Sequence, residues 1–491
     1  MNKELRMLTR AIFVLFLALF ASASVIQVVS ADELRADPLN QRTVKNSFQI
    51  ERGSILVDGT PIAQSNPSDD VYKFTREYTQ GPTYAPITGY FSHYQGTAGI
   101  EGALNAELTG SASSQFFNRV LRIISGADPQ GSSVELTIDP VAQQAAVDAL
   151  EGYKGAVVAI EPDTGRILAL ASTPSYDPNR LSVNDSSEII NAYKEYEDDP
   201  NEPLANRAIA GDTYHPGSTF KVITTAAALE AGKATPATKL PNPVSYTLPG
   251  STAQMYNHSR GPCGPGSETT VEYAFLQSCN VQFAELANSL DLNAVSEQAT
   301  KFGFNTPLEI PLTVTQSAAP NPGDRAQQAL SAIGQWDISA TPLQMAMMSA
   351  GVANKGTVMK PQLVERVITP DLNVEQKLTP EVFSEAVSPE TAATLTDLMT
   401  KAVSQGIAGS AAVSGVDVAG KTGTAENGND ADGNPLPFTI WFTGFAPADD
   451  PQIAIAVVVE EGGGEAHNYR GESNVIPTQI SKQIMEAVLN E

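Results

Sequence analysis

Ser218 and Lys221 stand three residues apart, the spacing that brings two side chains to one face of a helix. A serine hydroxyl is a poor nucleophile until a base takes its proton. A lysine amine becomes that base when burial and nearby positive charge keep it neutral. Alone, such a pair is commonplace and carries little weight. Two further elements add what acyl transfer needs. Ser278 and Asn280 flank Cys279. A second hydroxyl there relays a proton between Lys221 and a departing amine, while the donor and acceptor ends of Asn280 suit a substrate amide. Lys421, Thr422 and Gly423 form the third element. Lys421 offers positive charge to a substrate carboxylate, Thr422 adds a hydroxyl, and Gly423 leaves bare backbone for a substrate to lie against. The backbone N–H groups of Ser218 and Thr424 are the expected oxyanion hole, usually the largest electrostatic contribution to acyl transfer.

These side chains need rigid supports. Pro216 and Gly217 precede the serine, and an apolar run through Ala226, Ala227, Ala228 and Leu229 ends at Gly232, which predicts a helix. Ser278 to Asn280 fall in a polar interruption of a mostly helical stretch from Pro216 to about Ala350. Lys421 lies at the edge of a strand region. There, Thr439–Phe445 and Ile453–Val459 are apolar on both parities, as central strands are. Upstream, Val134, Leu136 and Ile138 alternate with polar residues, and Asp139 with Pro140 opens a helix to Leu150. Ala156–Ile160 and Ile167–Ala171 read as a hairpin, and the acidic stretch from Asn184 to Glu202 as a surface loop. Ile480, Ile484 and Val488 mark a closing helix. Strands at both ends of residues 131–491 with helices between them predict an α/β sandwich. Residues 32–130 carry short strand-like runs, such as Ile55–Val57 before a turn at Asp58 and Gly59, but no triad or metal spacing. They read as a non-catalytic spacer or interaction domain.

At 491 residues, 42% hydrophobic and 17% charged, the chain is globular and long enough for two domains. A net charge of −25 argues against nucleic acid, whose binding needs Lys and Arg to neutralise phosphates. Residues 1–10 carry Lys3, Arg6 and Arg10, and an uncharged run from Ala11 to Ala31 follows, long enough for a membrane span. The positive flank puts the stub in the cytoplasm and everything after Asp32 outside. Ala21, Ser22 and Ala23 resemble a cleavage site, but the apolar run continues past them, which favours an uncleaved anchor. Export permits a disulfide between Cys263 and Cys279, the two cysteines of the chain, and that bond would brace the second catalytic element. His93, His215, His258 and His467 are dispersed, so no metal site is expected, and no cofactor is implied.

Serine–x–x–lysine, serine–x–asparagine and lysine–threonine–glycine, in this order, match the signature of penicillin-binding proteins and class A β-lactamases. One departure is Cys279, where that signature has aspartate. Together with other stretches, the chain resembles the class B penicillin-binding proteins, peptidoglycan D,D-transpeptidases, in particular the actinobacterial penicillin-binding protein A type. Arg52, Gly53, Ser54 and Ile55 with Asp58 and Gly59, then Gly99, Ile100 and Glu101, resemble its pedestal. Gly334 and Gln335, Thr341 to Gln344, and Trp441 to Gly444 resemble its catalytic domain.

The resemblance implies an antiparallel sheet with flanking helices on a smaller mixed pedestal or dimerisation domain. It implies that Ser218 cross-links stem peptides through an acyl-enzyme, releasing terminal D-Ala, and that β-lactams acylate the same serine. Glycan polymerisation would need a partner glycosyltransferase, and a role in division and shape would add divisome proteins. A D,D-carboxypeptidase, a β-lactamase and a non-enzymatic β-lactam sensor or scaffold are the rival readings. For a β-lactamase, Glu285 with Asn288 lies too close to Asn280, and Glu309 sits between prolines. Arg52 and Glu101, beside glycines in the two pedestal segments, are a candidate ion pair.

Overall fold

A computed structural model describes residues 2–26, 30, 48–69, 72–112, 115, 128, 130–211 and 213–490. The N-terminal helix α1 (Asn2–Ser24) starts earlier than the expected span and takes in its basic flank. Lys3–Ser24 is long and apolar enough to cross a membrane. The last part of the predicted run, residues 27–29 and 31, lies outside the described residues, as do residues 32–47.

The chain then builds a mixed sheet with β1 (Ile55–Val57), β2 (Thr60–Pro67), β3 (Phe74–Tyr78) and β4 (Ser133–Leu136). Asp58 and Gly59, both at positive φ, make the tight turn between β1 and β2. Helix α2 (Pro140–Ala149) follows, capped by the Asp139 carboxylate on Ala142 N at 2.7 Å. The predicted hairpin forms as β5 (Gly155–Ile160) and β6 (Ile167–Thr173).

The acidic stretch after it is not a loop. Ser186–Glu197 is helix α3, capped by Asp185 and burying Ile189, Ala192 and Tyr196 against Tyr176, Leu181 and Ala85. The spacing of those three apolar residues outweighs the acidic composition, which sits on the solvent face.

The expected helical region supplies α4 (Lys221–Glu230), α5 (Val271–Leu276), α6 (Asn280–Asn288) and α7 (Pro342–Ala353). Between α4 and α5, residues 239–270 form two small antiparallel ribbons rather than helix. Next, β7 (Val364–Ile368) and β8 (Val374–Lys377) return to the first sheet, giving the order β8-β7-β4-β1-β2-β3. That sheet therefore draws strands from both sides of residue 131. Helix α8 (Pro389–Ser404) leads into β9 (Ala419–Ala425), β10 (Thr439–Ala446) and β11 (Ile453–Val459), and α9 (Ile476–Leu489) closes the chain.

The second sheet is antiparallel throughout, in the order β9-β10-β11-β5-β6. As the uninterrupted apolar runs predict, β10 and β11 are interior strands buried along their whole length. The pleat sends Val158, Ala456 and Trp441 into the core shared with α4 and α7. It sends Val157, Val457 and Phe442 into the core under α2 and α9. Ile480 and Ile484 of α9 are fully enclosed there.

A buried ionic cluster joins the segment before β1, strand β3 and the chain that follows it. Arg52 and Arg76 reach the Glu101 carboxylate through their Nε atoms at 2.5 and 2.6 Å, and all three side chains are solvent-inaccessible. The expected pair is thus a triad, with Tyr78 donating to the same carboxylate at 3.2 Å. Burial pushes the Glu101 pKa up, but the two guanidiniums outweigh it and hold the carboxyl ionised. Arg76 also donates to Gly53 O at 2.9 Å, and Arg52 to Asn105 Oδ1 at 2.6 Å, so the triad ties three segments together. Removing the shared anion leaves two buried cations uncompensated. Glu101→Gln is expected to cost about 3–5 kcal/mol, read from denaturant unfolding of the pedestal. A loss below about 1 kcal/mol would show that the triad holds nothing.

Candidate active site

Three elements converge on one point between the antiparallel sheet and the α4 layer. The first is a tight turn. Gly217–Phe220 is a 3₁₀ segment leading into α4, so Ser218 sits on the turn before the helix rather than within its first α-helical turn. The backbone there is crowded on both sides. Gly217 has φ +54°, and a Cβ on it would lie 2.4 Å from Thr424 O. A Cβ on Gly334 would lie 2.1 Å from Gly217 O, and Gly217 N donates to Gly334 O at 3.0 Å. Glycine is required at both places because backbone meets backbone.

The second element is the break between α5 and α6. Ser278 adopts φ +55°, a left-handed conformation that reverses the chain between the helices. Ser278 N and Cys279 N still donate to Phe275 O and Ala274 O, at 3.1 and 2.9 Å, so the break is fully bonded. The disulfide joins Cys279 to Cys263, sixteen residues upstream. Asn242 Oδ1 accepts from Cys263 N at 2.6 Å, and Asn257 Oδ1 accepts from Val281 N at 3.0 Å. Two asparagines and a covalent bond therefore clamp Ser278 and Asn280.

The third element is β9, the edge strand of the sheet. Lys421 and Gly423 share one face of the pleat, Thr422 and Thr424 the other. A Cβ on Gly423 would lie 2.6 Å from Pro216 O and 2.9 Å from Thr219 Cγ2. The contact that requires glycine there is with the Ser218 turn, which packs directly against the strand. Thr422 is buried, whereas Thr424 is half-exposed and donates to Ser473 Oγ at 3.0 Å.

At the meeting point the Lys221 amine is enclosed completely. It donates to Ser278 O at 2.7 Å and Asn280 Oδ1 at 2.8 Å, and lies 3.4 Å from Ser278 Oγ. Lys421 Nζ donates to that same hydroxyl at 2.7 Å and to Thr422 O at 3.1 Å. Ser278 Oγ thus stands between two buried amines. Among the described residues, no carboxylate bonds to Lys221, Ser278, Asn280 or Lys421. Burial, then the charge of Lys421, drives the Lys221 pKa well below the ordinary lysine value. Burial brings Lys421 down to about 7. The two carbonyl acceptors take two N–H bonds from Lys221, which leaves the lone pair of a neutral amine free.

Sequence reasoning missed several supports. The Phe283 ring lies 5.3 Å from Lys221 Nζ, and the Phe275 ring 5.9 Å from Lys421 Nζ. Both phenylalanines read as ordinary buried helix residues, and only their closeness to Ser278 in the chain hinted at more. Tyr256 O accepts from Asn280 Nδ2 at 3.2 Å and Asn257 caps α6, yet a small ribbon far upstream gave no signal. Glu285 and Asn288 lie on α6, where Asn288 bonds to the Tyr246 hydroxyl, and Glu309 is exposed.

Residues 155–486 match the penicillin binding protein transpeptidase domain, and residues 52–134 the penicillin binding protein A dimerisation domain. The chain belongs to the penicillin-binding transpeptidase family. It is 45% identical, over all of both chains, to the peptidoglycan D,D-transpeptidase PbpA of Mycolicibacterium smegmatis. It is 40% identical to the PbpA of Mycobacterium tuberculosis, over all of this chain and 99% of that one. The structure superposes on penicillin-binding protein A from M. tuberculosis in its ceftriaxone acyl-enzyme complex with a TM-score of 0.86. That match covers 90% of this chain and 99% of the other at 39% identity. The penicillin G acyl-enzyme of the same protein gives a TM-score of 0.83 at 40% identity, covering 90% of this chain and all of the other.

The disulfide is part of the clamp on the second element. Cys263→Ser with Cys279→Ser is expected to lower stability by about 3 kcal/mol. It should also speed amide exchange at Ser278–Val281, read by mass spectrometry. Unchanged exchange at those amides would show that the hydrogen bonds alone hold the break.

Proposed function

We propose that this chain is a peptidoglycan D,D-transpeptidase with Ser218 as its nucleophile. The observation that carries the reading is the Lys221 amine, enclosed with no carboxylate bonded to it among the described residues and held by Ser278 O and Asn280 Oδ1 one turn from that serine. A lysine in this setting is a base, not a charge.

Ser218 Oγ attacks the carbonyl carbon of the penultimate D-Ala of a stem peptide, and its proton passes to the lone pair of Lys221. The oxyanion is held by the N–H groups of Ser218 and Thr424. As the C–N bond breaks, Ser278 gives its hydroxyl proton to the departing nitrogen and takes one from Lys221, so terminal D-Ala leaves as a neutral amine. An amine from a neighbouring stem attacks the ester and loses its proton by the same route, which restores Ser218 and forms the cross-link. Asn280 grips the donor peptide amide, and Lys421 receives the terminal carboxylate. That carboxylate favours the charged form of Lys421, whose pKa of about 7 is set by burial in the free enzyme. A β-lactam carries the same carboxylate and acylates the same serine.

Residues 11–31 form the anchor of a single-pass cell-membrane protein, with residues 1–10 inside and the catalytic part, 131–491, outside. Residues 32–130 are its pedestal. The family match, the Lys3–Ser24 helix and the disulfide support this placement. Its partners are a glycan-polymerising glycosyltransferase and divisome proteins, and its role is wall synthesis in division and shape. A β-lactamase reading is not favoured: among the described residues, no carboxylate bonds to Lys221, Ser278, Asn280 or Lys421.

Incubation with a fluorescent penicillin and with a donor stem peptide plus an amine acceptor tests the proposal. Wild type should carry the label and yield cross-linked dimer with released D-Ala, and Ser218→Ala should do neither. Equal labelling of Ser218→Ala would end the assignment, and D-Ala release without dimer would make the protein a carboxypeptidase.

A further inference from the structure

Beyond the three motif elements, one loop residue reaches the site. The segment between β11 and α9 folds back over the beginning of β10. Gly462 N donates to Phe438 O at 2.6 Å, Phe438 N to Tyr469 O at 3.2 Å, and Gly471 N to Gly462 O at 2.8 Å. Val475 N and Ile476 N both donate to Glu472 O, so the chain turns into α9 directly at Ser473. The loop is packed backbone to backbone. A Cβ on Gly462 would lie 2.4 Å from Tyr469 O, and one on Gly471 would lie 2.3 Å from Gly462 O. The Arg470 guanidinium stacks 5.1 Å over the Phe438 ring. Ser473 is therefore carried on a braced turn, and its Oγ meets Thr424 Oγ1 at 3.0 Å.

The proton count at this contact decides what Ser473 can do. Two hydroxyls bring two protons, and the bond from Thr424 to Ser473 commits one of them. The uncommitted proton belongs to Ser473. Thr422 shares this face of β9 but is buried, whereas Thr424 and Ser473 are both part-exposed. Thr424 also lies against the nucleophile turn, since a Cβ on Gly217 would lie 2.4 Å from its carbonyl oxygen.

We propose that Ser473 is a further substrate-positioning residue, whose hydroxyl, held by Thr424, donates to the carboxylate at the end of the donor peptide or β-lactam. This rests on the transpeptidase reading above. Ser473 takes no part in proton transfer at Ser218, so its loss weakens capture of the carboxylate and leaves the chemical step intact.

Stopped-flow acylation by benzylpenicillin and by its methyl ester, resolved into the pre-covalent constant K and the acylation rate constant k2, tests this. For the free acid, Ser473→Ala should raise K about tenfold, as expected for a hydrogen bond to a charged group, with k2 unchanged. For the ester, wild type and Ser473→Ala should agree, and Ser473→Thr should restore tight capture of the acid. Thermal melting of each variant reports whether the loop stays folded. An unchanged K for the acid, or an equal loss on the ester, would overturn this inference alone. Failure of the wild-type enzyme to acylate would overturn the transpeptidase reading and this inference with it.

Discussion

A lysine ammonium shut away from water with no carboxylate beside it is costly, and it sheds that cost by giving up its proton. Lys221 is in this position. Its acceptors are a backbone carbonyl and an amide oxygen, both neutral, and a second buried lysine stands across one hydroxyl from it. Most of the architecture around the site serves to keep this arrangement dry and in register. The left-handed turn at Ser278 aims its carbonyl at the amine, and the disulfide with two asparagines fixes that turn. Phe275 and Phe283 fill the space that water would otherwise take.

The sheet supplies the other coordinate. β9 has β10 on one side and the Ser218 turn against its face, and Gly217 and Gly423 allow a contact closer than side chains permit. A backbone approach of that kind fixes Ser218 relative to Lys421 more tightly than flexible side-chain packing could. β10 and β11, buried on both faces, make the support stiff. Ser218 thus stands between a rigid sheet and a covalently clamped helix break.

Much of this was legible in the chain itself. Uninterrupted apolar runs announced the central strands, and a four-residue apolar recurrence announced α9, because both are consequences of burial. The three elements around Ser218, Ser278 and Lys421 carried a signal only together, since each is chemically ordinary alone. What escaped notice was of two kinds. Helix α3 was hidden by its acidic solvent face, although Ile189, Ala192 and Tyr196 carried the helical period. Ser473, Tyr256 and the reason for Gly423 depend on contacts between distant segments, which no local pattern encodes.

The account turns on the charge of one amine. Carbon-13 labelling at lysine Cε, with Lys221→Arg to assign the resonance, follows that charge directly by NMR as pH is raised. Lys221 should lose its proton well below the ordinary lysine range. A Lys221 that stays protonated up to that range would contradict the account, because Ser218 would then have no base.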